Sequence, residues 1–294
     1  MRSFVSAVAV LLAILLTAVA VPAAWVDLNV VKEDGFVRLA GALGEDPDFQ
    51  SRLAVAAVGS FEANVDLPEP VRNLASDALK GAATGMQSWT DYPQAWEETV
   101  RSSHKLNFSV GQQAEEAVTP TSLLLDIGPL VRLIRDHFAS ATGLRIDVPA
   151  ESLVSLGEPS HRQLVERVAA FAPLWWIPAL GACVSVLLAL AAARRRPAVV
   201  LFLGVGGAAL AALWTAASAL AGGLVGNIAS ANSVAELFKQ EFLDAARSGF
   251  GEWITVAAMC SGALAVVGII GLLVTSRRSP GLSTASGRAG SMEG

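Results

Sequence analysis

The apolar positions of this chain fall into two kinds of pattern. Four long uncharged stretches, 4–26, 172–193, 197–228 and 253–276, are apolar all round. Each reaches the roughly 18 to 20 residues that cross a hydrocarbon core of about 30 Å. Between the first and second stretches, and again between the third and fourth, the apolar positions recur at helical or strand spacing with polar residues between them. The expected layout is a transmembrane helix and signal anchor over 1–26, an extracytoplasmic domain over 27–171 and a second span over 172–193. A cytoplasmic turn over 194–197, a third span over 198–226, an extracytoplasmic helix over 227–252, a fourth span over 253–276 and a disordered cytoplasmic tail over 277–294 complete it.

Within 27–171 the periodicity predicts a mostly helical body. Asp34 and Gly35 precede a short helix through Phe36, Leu39 and Leu43 that Gly44 ends. Asp46 and Pro47 read as an N-cap and first-position proline, followed at helical spacing by Phe49, Leu53 and Phe61. A third helix is expected from Pro70 through Met86, and a fourth from Asp91 and Pro93 through Trp96, Val100 and His104. The period then drops to two at Leu123, Leu125 and Ile127 and again at Leu144, Ile146 and Val148, which predicts two strands able to pair as a ribbon. They bracket a helix from Pro129 to about Ser140, and a last amphipathic helix runs from about Ser160 to Phe171. In 227–252, Ser233 and Glu236 form a capping box ahead of a stripe of Val234, Leu237, Phe238, Phe242 and Ala245, before Gly249. That stripe is expected to fold onto the large domain or lie at the membrane surface. The fold class is mainly α: a four-helix transmembrane bundle with a mostly helical extracytoplasmic domain carrying a small two-stranded β element.

Charge orients this layout. Arg2, Arg194, Arg195, Arg196, Arg277, Arg278 and Arg288 all fall on one side of four spans, and short cytoplasmic segments collect Lys and Arg. Trp25, Trp175, Trp176 and Trp253 fall at span ends on the opposite side, where amphipathic rings prefer the interface, while Trp214 is inside a span and is expected to pack. Every Asp and Glu except Glu293 lies between Asp27 and Glu252, and residues 25–172 hold 21 acidic against 12 basic side chains, a net of −9. An acidic surface of this kind disfavours nucleic acid and anionic lipid as partners of the outer domain. Arg2, the apolar run and Ala18-Val19-Ala20 also fit a cleavable secretion signal, but the run is about twice the usual length and Pro22 sits badly beside a cut site, which favours an anchor.

Composition agrees with membrane residence: 53% of the 294 residues are hydrophobic, 16% are charged and the mean hydropathy is +0.52. No Asp, Glu, Lys, Arg or His lies inside a span, which argues against a pump or coupled transporter. Cys183 and Cys260 both lie in spans and are expected to be small packing residues, so the outer domain has no disulfide to hold it. Small residues at four-residue spacing, Gly204, Ala208 and Ala212 in the third span and Ala257, Ser261 and Ala265 in the fourth, predict close helix packing within the chain, a homo-oligomer contact being the alternative.

The three histidines, His104, His137 and His161, lack metal spacing and have no cysteine beside them. Ser103 and Ser160 each precede a histidine, but adjacent helix residues point apart and make no nucleophile and base pair. No nucleophile elbow, phosphate-binding loop or dinucleotide fingerprint is present, and no catalytic, cofactor-binding or metal residue is expected. The weak candidates for an outer-domain site are Trp96 and His104, eight residues apart on one helix, together with His137 and His161.

Four short stretches, Val31 to Val37, Leu43 to Gln50, Trp96 to His104 and Leu125 to Ile127, resemble those of an uncharacterised family of actinobacterial integral membrane proteins with an N-terminal anchor, a large extracytoplasmic domain and three further spans. The resemblance implies a high-GC, Gram-positive envelope setting and carries no activity and no functional residue. The expected role is that of a non-enzymatic cell-envelope protein whose outer domain binds a protein, cell-wall or small ligand. The alternatives are a small pore or transport accessory subunit and a membrane sensor.

Overall fold

The computed structural model describes residues 2–53, 81, 85, 88–108, 123–143, 153–155, 159–226 and 233–277. Its helices are α1 (Arg2–Val26), α2 (Glu33–Glu45), α3 (residues 47–53), α4 (Tyr92–Phe108), α5 (Gly128–Thr142), α6 (Pro159–Phe171), α7 (Trp176–Ala192), α8 (Arg196–Gly226) and α9 (Ser233–Arg277), with strands β1 (Leu124–Asp126) and β2 (Leu153–Ser155). Four helical stretches among the described residues are long and apolar enough to cross a membrane: Arg2–Val31, Val165–Ala192, Arg196–Gly223 and Ser233–Arg277. Their outward faces are apolar, with Leu187 67%, Leu220 70% and Phe202 63% exposed, a surface that only lipid would cover favourably. The chain is an integral membrane protein with several transmembrane helices and a large folded middle domain.

Within the membrane the helices pack as two pairs bridged by α1. α1 lies along α7, and α8 runs antiparallel against α9; α7 and α8, although consecutive, touch little. Small residues make both contacts close. A Cβ on Gly204 would lie 2.4 Å from the backbone nitrogen of Ala265, one on Gly268 2.5 Å from that of Leu201, and one on Gly207 2.2 Å from Ser261 Oγ. The small-residue stripe of the third and fourth spans is thus spent inside the chain, where dispersion between backbones replaces a hydrophobic drive that lipid cannot supply. Hydroxyls inside the spans mostly donate to the carbonyl four residues back, as in Thr17 to Ala13, Thr215 to Ala211 and Ser261 to Ala257. Ser6 instead crosses to the Ala189 carbonyl at 3.0 Å, tying α1 to α7. Cys183 and Cys260 depart from the expected packing role: both are exposed and face lipid.

Trp214 is buried, as its place in the span suggests, and its Nε1–H donates to the Ala18 carbonyl at 3.3 Å. At the domain end of the bundle Trp25 meets Phe250 edge-on at 5.6 Å, and Trp175 Nε1–H donates to the buried Asp27 carboxylate at 3.2 Å. Lys32 Nζ, 3.3 Å from the same carboxylate, supplies the counter-charge.

The head, the body outside the membrane, is built directly on the first span. α1 runs on as a π-helix, Asp27–Val31, closed by Lys32 N–H to the Asp27 carbonyl at 2.9 Å. Lys32 is extended, and the chain turns back so tightly that a Cβ on Gly35 would overlap the Leu28 carbonyl at 1.8 Å. Only glycine permits that return. Asp46 caps α3 as expected, its Oδ1 accepting from Asp48 N–H at 2.8 Å and Phe49 N–H at 3.2 Å. α5 begins with Pro129 in its first turn and ends at Gly143, which takes the left-handed conformation at φ 73°.

The head core gathers Ala40, Leu43, Phe49, Leu53, Tyr92, Trp96, Val100, Leu125, Leu130 and Leu133 with Val234 and Phe238 of α9. Of the two sites offered for the stripe of 227–252, it takes the large domain. α9 joins the helix expected over 227–252 to the span expected over 253–276 and runs through Gly249: one uninterrupted helix of 45 residues carries both the stripe and the fourth span. A glycine costs a helix about 1 kcal/mol, too little to break a ladder held in the head core at one end and in lipid at the other. β1 pairs antiparallel with β2, Leu125 opposite Val154. The strand partner expected at 144–148 and the helix expected from Pro70 lie outside the described residues.

Candidate functional site

Four residues stood out as site candidates, and α4 carries two of them. Trp96 is 2% exposed, stacks edge-on to Phe49 at 5.4 Å and donates its indole N–H to the Ala40 carbonyl at 3.0 Å. It sits so close to α2 that a Cβ on Gly44 would strike the ring. His104 shares that buried face two helical turns on, where Nε2–H donates to the carbonyls of Val31 at 3.0 Å and Val30 at 3.2 Å. Those carbonyls end the π-helix, where no further turn is present to donate to them. The ring stacks on Phe108 at 4.5 Å and touches Phe36 at 5.1 Å. Burial pushes the imidazole below its ordinary pKa, outweighing the two carbonyl bonds and Glu33, which pull the other way. Trp96 and His104 thus share a face without converging on a cleft: one locks α4 to α2, the other locks α4 to the membrane helix.

The same helix also holds a polar network that the periodicity of the chain does not mark. Ser102 Oγ donates to Asp126 Oδ2 at 2.6 Å, and Ser103 Oγ accepts from the Asp126 N–H at 2.9 Å while donating to the Thr99 carbonyl at 2.6 Å. Asn107 brackets Leu124, its Nδ2 donating to the carbonyl at 2.6 Å and its Oδ1 accepting from the N–H at 2.9 Å. Asp126 Oδ1 accepts from Gly128 N–H at 2.9 Å, which starts α5. Asn107 acts as a strand partner for β1 on its free edge. The signal was present as Ser103 and Asn107 one turn apart with Ser102 beside them, yet only the fold says which strand they face.

Arg101 joins the helices on the outer surface, 2.8 Å from Glu97 and 2.5 Å from Glu33. Arg52 of α3 bonds Glu241 of α9, a second tie between the head and the long helix.

His137 lies in a different environment. Its ring stacks on Trp89 at 3.8 Å, nearly parallel at 8°. It borders an open groove of about 490 Å3 between the start of α4 and the outer face of α5, edged by Asp91, Glu98, Asp136 and Arg132. Arg132 lies 3.4 Å from Glu98, and Asp136 lies 2.8 Å from Arg135. The groove is too open to exclude water and suits contact with a surface better than enclosure of a small molecule. His161 lies on α6, away from both in sequence, and its side chain is outside the described set. Among the described residues no three of His, Cys, Asp and Glu stand together as metal ligands.

No protein-family model, no curated protein and no solved structure matches the chain.

Proposed function

We propose that this is a non-enzymatic envelope protein whose head stands on the outer face of a cell membrane and recognises a protein or cell-wall partner through its surface. The observation that carries the reading is the contrast between the two described histidines. His104, the residue best suited to chemistry, is spent on two backbone carbonyls, whereas His137, stacked on Trp89, borders an open, acid-edged groove. A groove edged by three carboxylates suits a partner with basic or hydrogen-bond-donating groups. The orientation rests on the basic residues: Arg2, the Arg194 to Arg196 turn and Arg277 lie at the end of the bundle away from the head, which the distribution of Lys and Arg assigns to the cytoplasm. The resemblance of the sequence adds a Gram-positive envelope as the setting.

Photo-crosslinking from intact cells tests it. A crosslinker at Gln94 or Ser140, which line the groove, is expected to give a discrete product that Asp136→Lys removes, while one at the exposed Gln163 of α6 does not. Identical products from all three positions, or none from any, would overturn groove recognition.

A membrane sensor is the second reading, and α9 favours it. One rigid helix has Val234 and Phe238 in the head core and Arg277 beyond the far side of the bundle, so a shift of the head moves the opposite end. Gly249→Pro interrupts that rod between head and span. The reading requires that a reporter beyond Arg277 respond to partner binding in the parent chain and not in this variant.

A further inference from the structure

Another cavity lies at the basic end of the bundle, between α1 and α8. It has a volume of about 720 Å3 and is bounded along its length by apolar side chains of the two helices. Ser3 and the Arg194 and Arg195 backbone turn close its outer end. Leu11, Phe202 and Val205 are each more than half exposed although they line it, so none of the described residues fills the space. The volume falls in the range of clefts that hold a ligand, and its apolar lining at membrane depth selects a hydrocarbon chain.

The charge at its mouth selects the other end of that ligand. Among the described residues neither Arg194 nor Arg195 has an acidic partner, and both are exposed. All carboxylates between residues 1 and 292 belong to the segments Asp27 to Glu166 and Glu236 to Glu252, on the head side of the membrane. Two exposed guanidiniums at headgroup depth, above an apolar slot, complement a phosphate with its acyl chain. The slot exists because α1 stands between α7 and α8: the short turn must span the end of α1 and carries its arginines over the gap.

We propose that this groove binds one anionic phospholipid, its acyl chain along Val10, Leu11, Phe202 and Val205 and its headgroup phosphate on Arg194 and Arg195. The bound lipid would fill the space between the α1–α7 and α8–α9 pairs and act as part of the bundle.

Native mass spectrometry of the full chain in detergent, titrated with phosphatidylglycerol or phosphatidylcholine, tests the proposal. Phosphatidylglycerol is expected to give one saturable adduct roughly tenfold tighter than phosphatidylcholine, the preference being lost in the Arg194→Gln, Arg195→Gln double variant. Ala198→Phe, which fills the groove and leaves both arginines, is expected to remove the adduct as well. The Arg277→Gln, Arg278→Gln variant loses the same charge on the same flank and is expected to keep it. Equal binding of the two lipids, retention in the groove variants, or an equal loss in the tail variant would overturn it.

Discussion

The indole nitrogen of Trp214 lies 3.3 Å from the carbonyl of Ala18, the α1 carbonyl whose helical donor would be residue 22. That residue is Pro22, which has no N–H, so its place inside a membrane helix would leave the Ala18 carbonyl unpaired in lipid. The third span supplies the missing donor. Trp214→Phe is expected to lower the thermal midpoint in detergent by an amount corresponding to about 1 to 3 kcal/mol. Pro22→Ala restores the backbone donor, so the double variant should lose less than the sum of the singles. Additive losses in that double-mutant cycle would show that the bond carries no coupling energy.

His104 makes head stability depend on pH. Burial holds its imidazole below the ordinary value of 6.5, so the folded state keeps it neutral where the unfolded chain begins to protonate. The unfolded state then binds more protons, and stability must fall as pH drops below 6.5 towards the folded pKa, while it is fully present above 6.5. The denaturation midpoint should therefore decline between pH 6.5 and about 5, before most carboxylates titrate. In His104→Phe that part of the slope should vanish and the midpoint at pH 7.5 should be lower, because the Val30 and Val31 carbonyls lose their donor. An unchanged slope would place the pH sensitivity elsewhere.

Tyr92 and Thr99 lie on the buried face of α4 with hydroxyls that have no partner among the described residues, and burial raises the Tyr92 phenol well above its ordinary pKa. An unpaired hydroxyl in a core costs about 1 to 3 kcal/mol. Tyr92→Phe and Thr99→Val keep the shape and remove that cost, so each is expected to raise the unfolding midpoint. A drop in both would mean that the hydroxyls are satisfied by bound water in solution.

Glycines of the α8–α9 pair differ in how they tolerate a side chain. Gly204 faces the α9 backbone at 2.4 Å, whereas a Cβ on Gly262 would meet nothing within 4 Å. Gly204→Val should force α8 and α9 apart and lower thermal stability in detergent by roughly 2 kcal/mol or more, while Gly262→Ala should be neutral. Comparable losses for both would mean that the α8–α9 contact does not limit stability.

Spans, head helices and the α3 cap were readable from the chain because each depends on short-range order. About 20 uncharged residues must form a helix in lipid, and Asp46 before Pro47 must start one in water. The α9 stripe was legible as a face that needs covering, although its two destinations could not be separated by periodicity. Single positions led elsewhere. The outer helix and the fourth span read as separate elements, yet one helix continues through Gly249 because its two halves are anchored in different media. Cys183 and Cys260 read as packing residues but face lipid, since an apolar helix carries no pattern to mark its protein side.

What the sequence by itself determined is the division between membrane and head, since transfer free energy depends on composition summed over about 20 residues. Only the tertiary structure decided the use of each polar group. His104 closes a π-helix, Trp214 repairs the ladder at Pro22, Asn107 edges β1, and Arg194 and Arg195 cover a slot between α1 and α8, helices far apart in sequence. Those roles are set by which distant backbone arrives at each side chain, and hydrogen bonds of about 3 Å depend on that geometry rather than on any local pattern.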